Sequence, residues 1–172
     1  IYTPENDSPQ ELVGKSPMAI KNAGVSLAFV PEDRLGMGLV GSMGMTDNML
    51  LRNWNKHKGI LIDKKDSKAL AKDVFETLEV VTPNIDYPVR KLSGGNVQKV
   101  LVGREIATSP SVLMSAYAVR GLDINTSYTI YDLMCKQKDN GTAVIFVGED
   151  LDVLLALCDR ILVMCDGRVT GI

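Results

Sequence analysis

The residues best suited to chemistry are Ser93, Gly94 and Gly95, which come just before an apolar helical pattern from Val100 to Ala107. The first N–H groups of a helix lack intrahelical partners and lie at the positive end of the helix dipole. A hydroxyl and bare glycine amides at that position can contact a phosphate. The same residues also suit an ordinary helix start with Ser93 as N-cap. Taken alone, the stretch leaves both interpretations open.

A second phosphate-like pattern, Gly14-Lys15-Ser16, lacks the context that a phosphate-binding loop needs. Such a loop has a glycine five residues before its Gly-Lys pair and a buried strand leading into it. Pro9 occupies the glycine position, and no strand pattern precedes it. The sequence instead predicts a turn, with Ser16 capping a short helix that begins at Pro17 and runs to Asn22.

A further candidate binding segment follows the β-branched, apolar run from Val25 to Val30. Pro31 ends this predicted strand, and three charged residues follow directly at Glu32-Asp33-Arg34. In open α/β sheets, ligands bind outside the carboxyl ends of the strands. A solvated turn explains the same residues equally well.

Apolar runs of strand length alternate with helical patterns along the rest of the chain, which indicates a mostly parallel sheet flanked by helices. Thr46-Asp47-Asn48 is predicted to cap a short helix through Leu51. A longer amphipathic helix is expected over 63–81, with Leu70, Val74, Leu78 and Val81 on its core face. The remaining strands are predicted at 111–117, 142–147 and 160–165, the remaining helices at 125–138 and 150–158, and a hairpin at Asp166-Gly167 leads into 168–172.

Composition limits the class of protein. A net charge of −2 gives no basic excess for nucleic acid, and no apolar run approaches the ~20 residues that span a bilayer. Three scattered cysteines, Cys135, Cys158 and Cys165, suit reduced core residues of a cytosolic protein. His57, the only histidine, has no acid or hydroxyl partner at suitable spacing, so we predict a surface residue.

Several of these segments together resemble the ATP-binding cassette of ABC transporters. The Val30–Arg34 segment, which leads to Gly38-Leu39-Val40, resembles the second cassette of two-cassette importers for sugars and nucleosides, as does Asn96 in place of the usual glutamine. The motifs that carry the resemblance, in order, are Leu92-Ser93-Gly94-Gly95-Asn96 with Gln98-Lys99, the strand at Val112, Arg120-Gly121-Leu122-Asp123, Cys158-Asp159-Arg160-Ile161-Leu162-Val163-Met164 and Asp166-Gly167-Arg168.

The resemblance implies a partial α/β cassette of the P-loop NTPase (RecA-like) type. Residues 1–172 would form one domain, with an α/β core at 1–40 and 92–172 and a helical subdomain at about 41–91. In this family the helical subdomain docks on the membrane subunit, so Met43, Met45, Met49 and Trp54 are candidate contacts. Burial of these side chains in a local core is an equally good account.

The chain departs from the family where catalysis occurs. The positions of the magnesium-binding aspartate and the water-polarising glutamate are Ala116 and Tyr117, which can do neither task. Glu149 stands at the switch histidine, and Glu32 at the glutamine of the Q-loop. The Walker A loop would lie upstream of Pro31, and the residues there do not supply it. We therefore expect no catalytic residue, no metal site and no ATP hydrolysis by this chain alone.

The retained motifs imply a role in trans, because family cassettes pair head to tail. ATP and its Mg²⁺ would be held mainly by a partner cassette and contacted by Ser93, Gly94, Gly95, Asn96 and Gln98. Asn96 would also support the loop, and Asp123 would lie at the dimer seam. The expected partners are a second cassette and a membrane permease, which would hold the chain at the cytoplasmic face of the membrane. Two alternatives stay open: an ATPase that is active in full length with Glu149 or Asp150 as substitute acid, and a non-enzymatic docking module.

Overall fold

The computed structural model describes residues 9–54 and 63–172, and the prediction for His57 lies outside them. Helices and strands alternate along these residues, as the sequence patterns predict. In chain order the elements are α1 (Pro17–Asn22), β1 (Leu27–Val30), a π-helical turn (Arg34–Gly38), α2 (Met45–Asn53), α3 (Lys65–Thr77), a 3₁₀ turn (Val89–Lys91), α4 (Gly94–Ile106), β2 (Val112–Ala116), α5 (Ile124–Asp139), β3 (Ala143–Val147), α6 (Leu151–Leu157), β4 (Val163–Cys165) and β5 (Arg168–Gly171).

The main sheet has three parallel strands in the order β1-β2-β3. Leu27 pairs with Val112, and Val112 pairs in turn with Ala143, so the three strands end at one edge. The predicted parallel sheet is confirmed for these strands. β4 and β5 form a separate antiparallel pair. They are joined by the predicted Asp166-Gly167 turn, in which both residues have positive φ as such hairpins require.

Helix α4 lies at the centre of the core. Eight of its residues between Val97 and Glu105 are buried, and it packs against β1 on one side and α3 on another. A Cβ added at Gly103 would lie 2.6 Å from Val74 Cγ1 of α3. Real Cβ atoms do not approach so closely, so glycine at this position is what lets the two helices pack at this separation.

The segment before α2 is held by one buried amide. Asn48 is fully buried, and its Oδ1 accepts from the Val40 N–H at 2.8 Å. Its Nδ2 donates to the carbonyls of Val40 at 3.2 Å and Gly44 at 3.0 Å. Buried backbone groups need partners, and Asn48 supplies them for this loop. The prediction that Thr46-Asp47-Asn48 caps α2 is wrong, because Gly44 is the N-cap and Thr46 is a buried residue of the first turn.

Helix α3 is shorter than the sequence predicts. Val74 and Leu78 are buried and Leu70 packs against the core, as expected, but the helix ends at Thr77. Val81 lies beyond the end and is 76% exposed, so its predicted core position is wrong. Both α2 and α3 fall in the 41–91 segment. The division of the chain into a core and a helical subdomain stays a prediction.

The outer edge of β1 is covered by two charged side chains. The Ser26 carbonyl accepts from the N–H of Val112, so in this parallel ladder the next residue, Leu27, directs its backbone groups away from β2. On that outer side Arg52 donates to the Leu27 carbonyl at 3.3 Å, and Glu105 Oε2 accepts from the Phe29 N–H at 3.2 Å. Arg52 and Glu105 also form an ion pair with each other. The pair satisfies an edge that no strand covers among the described residues.

Two expectations from composition concern membrane-spanning segments and the burial of the cysteines. None of the helices in 9–54 and 63–172 combines the length and apolar character needed to cross a bilayer. The expectation that the cysteines are core residues is wrong, because Cys135 and Cys158 are only half-buried and Cys165 is exposed.

Candidate functional site

The start of α4 is an exposed, capped helix terminus. Ser93 is the N-cap, and its Oγ accepts from the Asn96 N–H at 3.4 Å and from Asn96 Nδ2 at 2.9 Å. With its oxygen used as the acceptor, the hydroxyl still carries a proton that it can donate. Gly94 and Gly95 are the first residues of the helix, so their N–H groups have no intrahelical acceptor. Ser93 and Gly94 are exposed and can meet a ligand from outside.

Asn96 fixes this terminus to the loop that follows α3. Its Oδ1 accepts from the Val81 N–H at 2.9 Å, while its Nδ2 donates to Ser93. Both the oxygen and the nitrogen of this side-chain amide therefore form hydrogen bonds. The placement agrees with a supporting role for Asn96 in the loop rather than a direct ligand contact.

Gln98 does not lie at this exposed surface. Its side chain is fully buried, and its Oε1 accepts from Arg34 Nε at 2.8 Å. Among the residues that the structure describes, its Nε2 has no hydrogen-bond partner. A buried amide cannot touch a nucleotide on another chain, so the predicted contact of Gln98 with ATP does not fit this position.

Asp123 lies beside the start of α4. It is the N-cap of α5, and its carboxylate accepts from the Thr126 N–H at 2.9 Å and from Thr126 Oγ1 at 2.7 Å. These hydrogen bonds stabilise the charged form and hold the pKa of Asp123 below its usual value. A Cβ on Gly95 would meet Thr126 Oγ1 at 3.1 Å and Asp123 Oδ2 at 3.6 Å. The two helix starts are thus in near contact.

Glu32 is tied to the turn that precedes α5. Its Oε1 accepts from Arg120 Nη1 at 2.8 Å, in an exposed ion pair. Glu32 is the main cause, and Glu149 a further one, of a raised pKa at Arg120. A carboxylate such as Glu149 repels a phosphate, but the Arg120 cation near it offsets part of that charge.

Arg34 lies next to the start of α4, a placement that the sequence does not predict. Besides its bond to Gln98, its Nη2 donates to the Arg120 carbonyl at 2.5 Å. A Cβ on Gly94 would lie 3.5 Å from Arg34 Nη1. The only sequence signal was its place in the charged segment at the end of β1.

The family's acid positions lie at the end of β2. Ala116 is the last residue of the strand, and Tyr117 follows it with a φ of 51°, in the left-handed region. The Tyr117 ring lies 6.0 Å from the Arg120 guanidinium carbon. An open cleft of about 590 Å³ is lined by Ala116 and Tyr117 together with residues of the Phe29–Met37 segment. A smaller cleft of about 130 Å³ lies between Tyr117, Arg120 and Glu149.

Comparisons with known proteins agree on one kind of protein, although no family model matches the chain. The ribose import ATP-binding protein RbsA 1 of Rhizobium johnstonii is 36% identical over 156 residues, covering 90% of this chain and 30% of the relative. The xylose import ATP-binding protein XylG of Moorella thermoacetica is 34% identical over 174 residues, covering 99% and 34%. The galactose/methyl galactoside import ATP-binding protein MglA of Fusobacterium nucleatum is 35% identical over 172 residues, covering 99% and 32%.

A comparison with solved structures identifies the fold. A dimeric ATP-binding cassette in a post-hydrolysis state with ADP and Pi has a TM-score of 0.74 at 21% identity, over 92% of this chain and 67% of that one. The chain has the fold of an ABC cassette. Its relatives are sugar import ATP-binding proteins, so the predicted resemblance and fold class are confirmed. The cassette chain spans about a third of the length of the curated relatives it matches.

The two groups that an ABC cassette implies, Mg²⁺ and ATP, fit this chain differently. In the described part of the cassette, no three His, Cys, Asp or Glu side chains lie close enough together to hold a metal ion. Ala116 carries only a methyl group, so it offers no Mg²⁺ ligand at the end of β2. The start of α4 does fit a phosphate, because Ser93 offers a hydroxyl proton and the exposed Gly94 has an N–H without an intrahelical acceptor.

Proposed function

We propose that the chain is the nucleotide-binding part of an ABC importer for a simple sugar, and that it supplies its Leu92–Asn96 signature in trans to ATP held by a partner cassette. The observation that carries this proposal is the start of α4. There Ser93 is exposed and keeps a hydroxyl proton to donate, and Asn96 holds the loop in place. This geometry suits the γ-phosphate of a nucleotide that approaches from outside the chain.

The departures from the family favour action in trans over action in cis. Phosphoryl transfer depends on groups that position the phosphates and neutralise their charge. Ala116 and Tyr117 supply neither a metal ligand nor a base, so ATP and Mg²⁺ would be held mainly by the partner. A structural neighbour solved as a dimer supports paired cassettes as the mode of assembly. In that pairing Asp123, beside the signature, would lie at the seam.

The names of the relatives favour one class of transported solute. The relatives are named as import proteins for ribose, xylose and galactose or methyl galactoside, which favours a simple sugar over a nucleoside. An importer needs a membrane permease, and we place the chain against that permease at the cytoplasmic face of the membrane. The cassette itself would not touch the sugar.

The test of the proposal is Ser93→Arg in the full-length protein assembled with its partners. The larger cation would fill the space of the phosphate, so we expect ATP hydrolysis and sugar uptake to fall at least tenfold. The matched control is Ser109→Arg, at an exposed serine beyond the C-terminal end of α4, which should leave both rates unchanged. Normal rates with Ser93→Arg would exclude the trans role and leave a docking module as the better account.

A binding measurement separates the remaining alternatives. We expect the 172-residue chain to show no ATP binding at micromolar concentrations, because its phosphate-contacting surface needs a nucleotide that another cassette holds. Tight binding of ATP by this chain would instead favour an ATPase with a substitute acid, for which Glu149→Gln and Asp150→Asn are the variants to measure.

A further inference from the structure

Arg34 joins three segments that are far apart in the sequence. Its Nε donates to Gln98 Oε1 in α4, and its Nη2 donates to the carbonyl of Arg120 in the turn before α5. The partners are 64 and 86 residues away along the chain. Arg34 itself begins the π-helical turn that follows β1 and Glu32.

The shape of the guanidinium makes this junction rigid. Its donors lie in one plane at fixed angles, so two bonds from one guanidinium fix the position and the orientation of both acceptors. The third nitrogen, Nη1, lies against Gly94 at the start of α4. Arg34 therefore sits at the base of the exposed terminus, between the signature and the Asp123 turn.

This use of an arginine has an energetic cost that simple packing would not require. Burial lowers the pKa of Arg34, and Glu32 only partly opposes that effect. Both of the hydrogen-bond acceptors described above are neutral groups. A methionine could fill the same space without desolvating a charge, so the side chain is better explained by its directed bonds than by its volume.

We propose that Arg34 is a positioning residue for the trans signature. It holds the start of α4 and the turn at Arg120–Asp123 at the spacing in which Ser93 and Asp123 both face a partner cassette. The buried Gln98 serves as the anchor for Arg34 in α4 and acts only through it. This inference rests on the proposed function, because positioning Ser93 and Asp123 matters only if a partner cassette holds a nucleotide there.

The test uses the assembled full-length importer and measures ATP hydrolysis against ATP concentration. For Arg34→Met we expect kcat to fall about tenfold, while KM for ATP stays within about twofold because the partner holds the nucleotide. Arg34→Lys should recover little of kcat, because an ammonium cannot make both bonds at fixed angles. Arg168→Met, at an exposed arginine of β5, is the matched control and should keep the normal kcat.

Gln98→Met supplies a second route if Arg34→Met fails to fold. It should give a similar fall in kcat, and the double variant should be no worse than Arg34→Met alone, because coupled residues are non-additive. An unchanged kcat in Arg34→Met, or full recovery by Arg34→Lys, would overturn the positioning role.

Ser93→Arg, measured in parallel, separates the two proposals. If it lowers kcat while Arg34→Met and Gln98→Met do not, only the positioning role fails. If Ser93→Arg has no effect, the trans function fails and the positioning role fails with it.

Discussion

Removing the carboxylate of Glu105 should be among the most damaging single changes to this chain. The side chain is 2% exposed and accepts from the Phe29 N–H, from Arg52 and, at 3.0 Å, from Arg104 Nε. Arg104 is itself only 8% exposed, and burial lowers its pKa. Glu105→Ala would leave this guanidinium buried without its anion.

The cost can be estimated from those contacts. Breaking a buried ion pair by removing one partner costs about 3–5 kcal/mol, because the remaining charge is uncompensated. The loss of the Arg52 ion pair adds little to this cost, because the Arg52 side chain is 36% exposed and can turn to water. Against a total stability of about 5–15 kcal/mol for a domain, the change removes a large share. Glu105→Gln keeps an acceptor for the Phe29 N–H and should cost about half as much.

Urea unfolding gives the measurement, followed by circular dichroism and by the fluorescence of Trp54, which comes two residues after Arg52. With a slope of about 2 kcal/mol per molar urea, Glu105→Ala should lower the midpoint by about 1.5–2.5 M. The control is the double change Arg104→Met with Glu105→Leu, which removes both charges and should recover most of the loss. A loss below about 1 kcal/mol for Glu105→Ala, or no recovery in the double variant, would refute this account of the buried pair.

Three further predictions follow from local geometry. Gly44→Ala should lower the free energy of unfolding by about 1–3 kcal/mol in the same assay, because the added Cβ would lie 2.5 Å from the backbone of Asp86. Gly171→Ala, with open space around the added Cβ, should cost almost nothing. Equal effects of the two changes would contradict the reasoning. In maleimide labelling read by mass spectrometry, the exposed Cys165 should react first and Cys158 more slowly, since burial raises the pKa of the Cys158 thiol; equal rates would contradict this. The pKa of Asp123 is below its ordinary value of 3.8, so its contribution to stability is present above pH 3.8 and is lost as the pH falls through the pKa of the folded state. Asp123→Asn should remove that part of the acid dependence of stability. An NMR titration that gives a pKa of 3.8 or above for this carboxyl would disprove the prediction.

The parts of the fold that could be predicted are those with a local signal. Ser16 and Ser93 are N-caps because their side chains bond backbone groups three residues away. β1 to β3 are visible because apolar, β-branched runs of strand length stop at proline or polar residues. At α2 the local signal gave a wrong cap. Thr46-Asp47 suits a cap, yet the helix begins at Met45 with Gly44 as its N-cap, and Gly44 packs on the backbone of Asp86.

The parts of the site that could not be predicted depend on distant pairs. Ser93, Gly94, Gly95 and Asp123 are candidate site residues because of their residue type, motif order and family resemblance. Nothing near Arg34 in the sequence indicates that it reaches Gln98 and Arg120, and nothing near Glu105 indicates that it meets Arg52 and Phe29. For the same reason the sequence predicts a contact between Gln98 and ATP, although the chain buries this side chain completely.

The charged pair on the outer edge of β1 also affects how the chain behaves in a crowded solution. An open strand edge is a template on which another chain can add a strand, and this is a common first step in aggregation. Arg52 and Glu105 occupy the carbonyl of Leu27 and the N–H of Phe29 that such a strand would use. Growth of foreign β-structure is thereby blocked on this side of the sheet, so loss of Glu105 would add a solubility defect to the loss of stability.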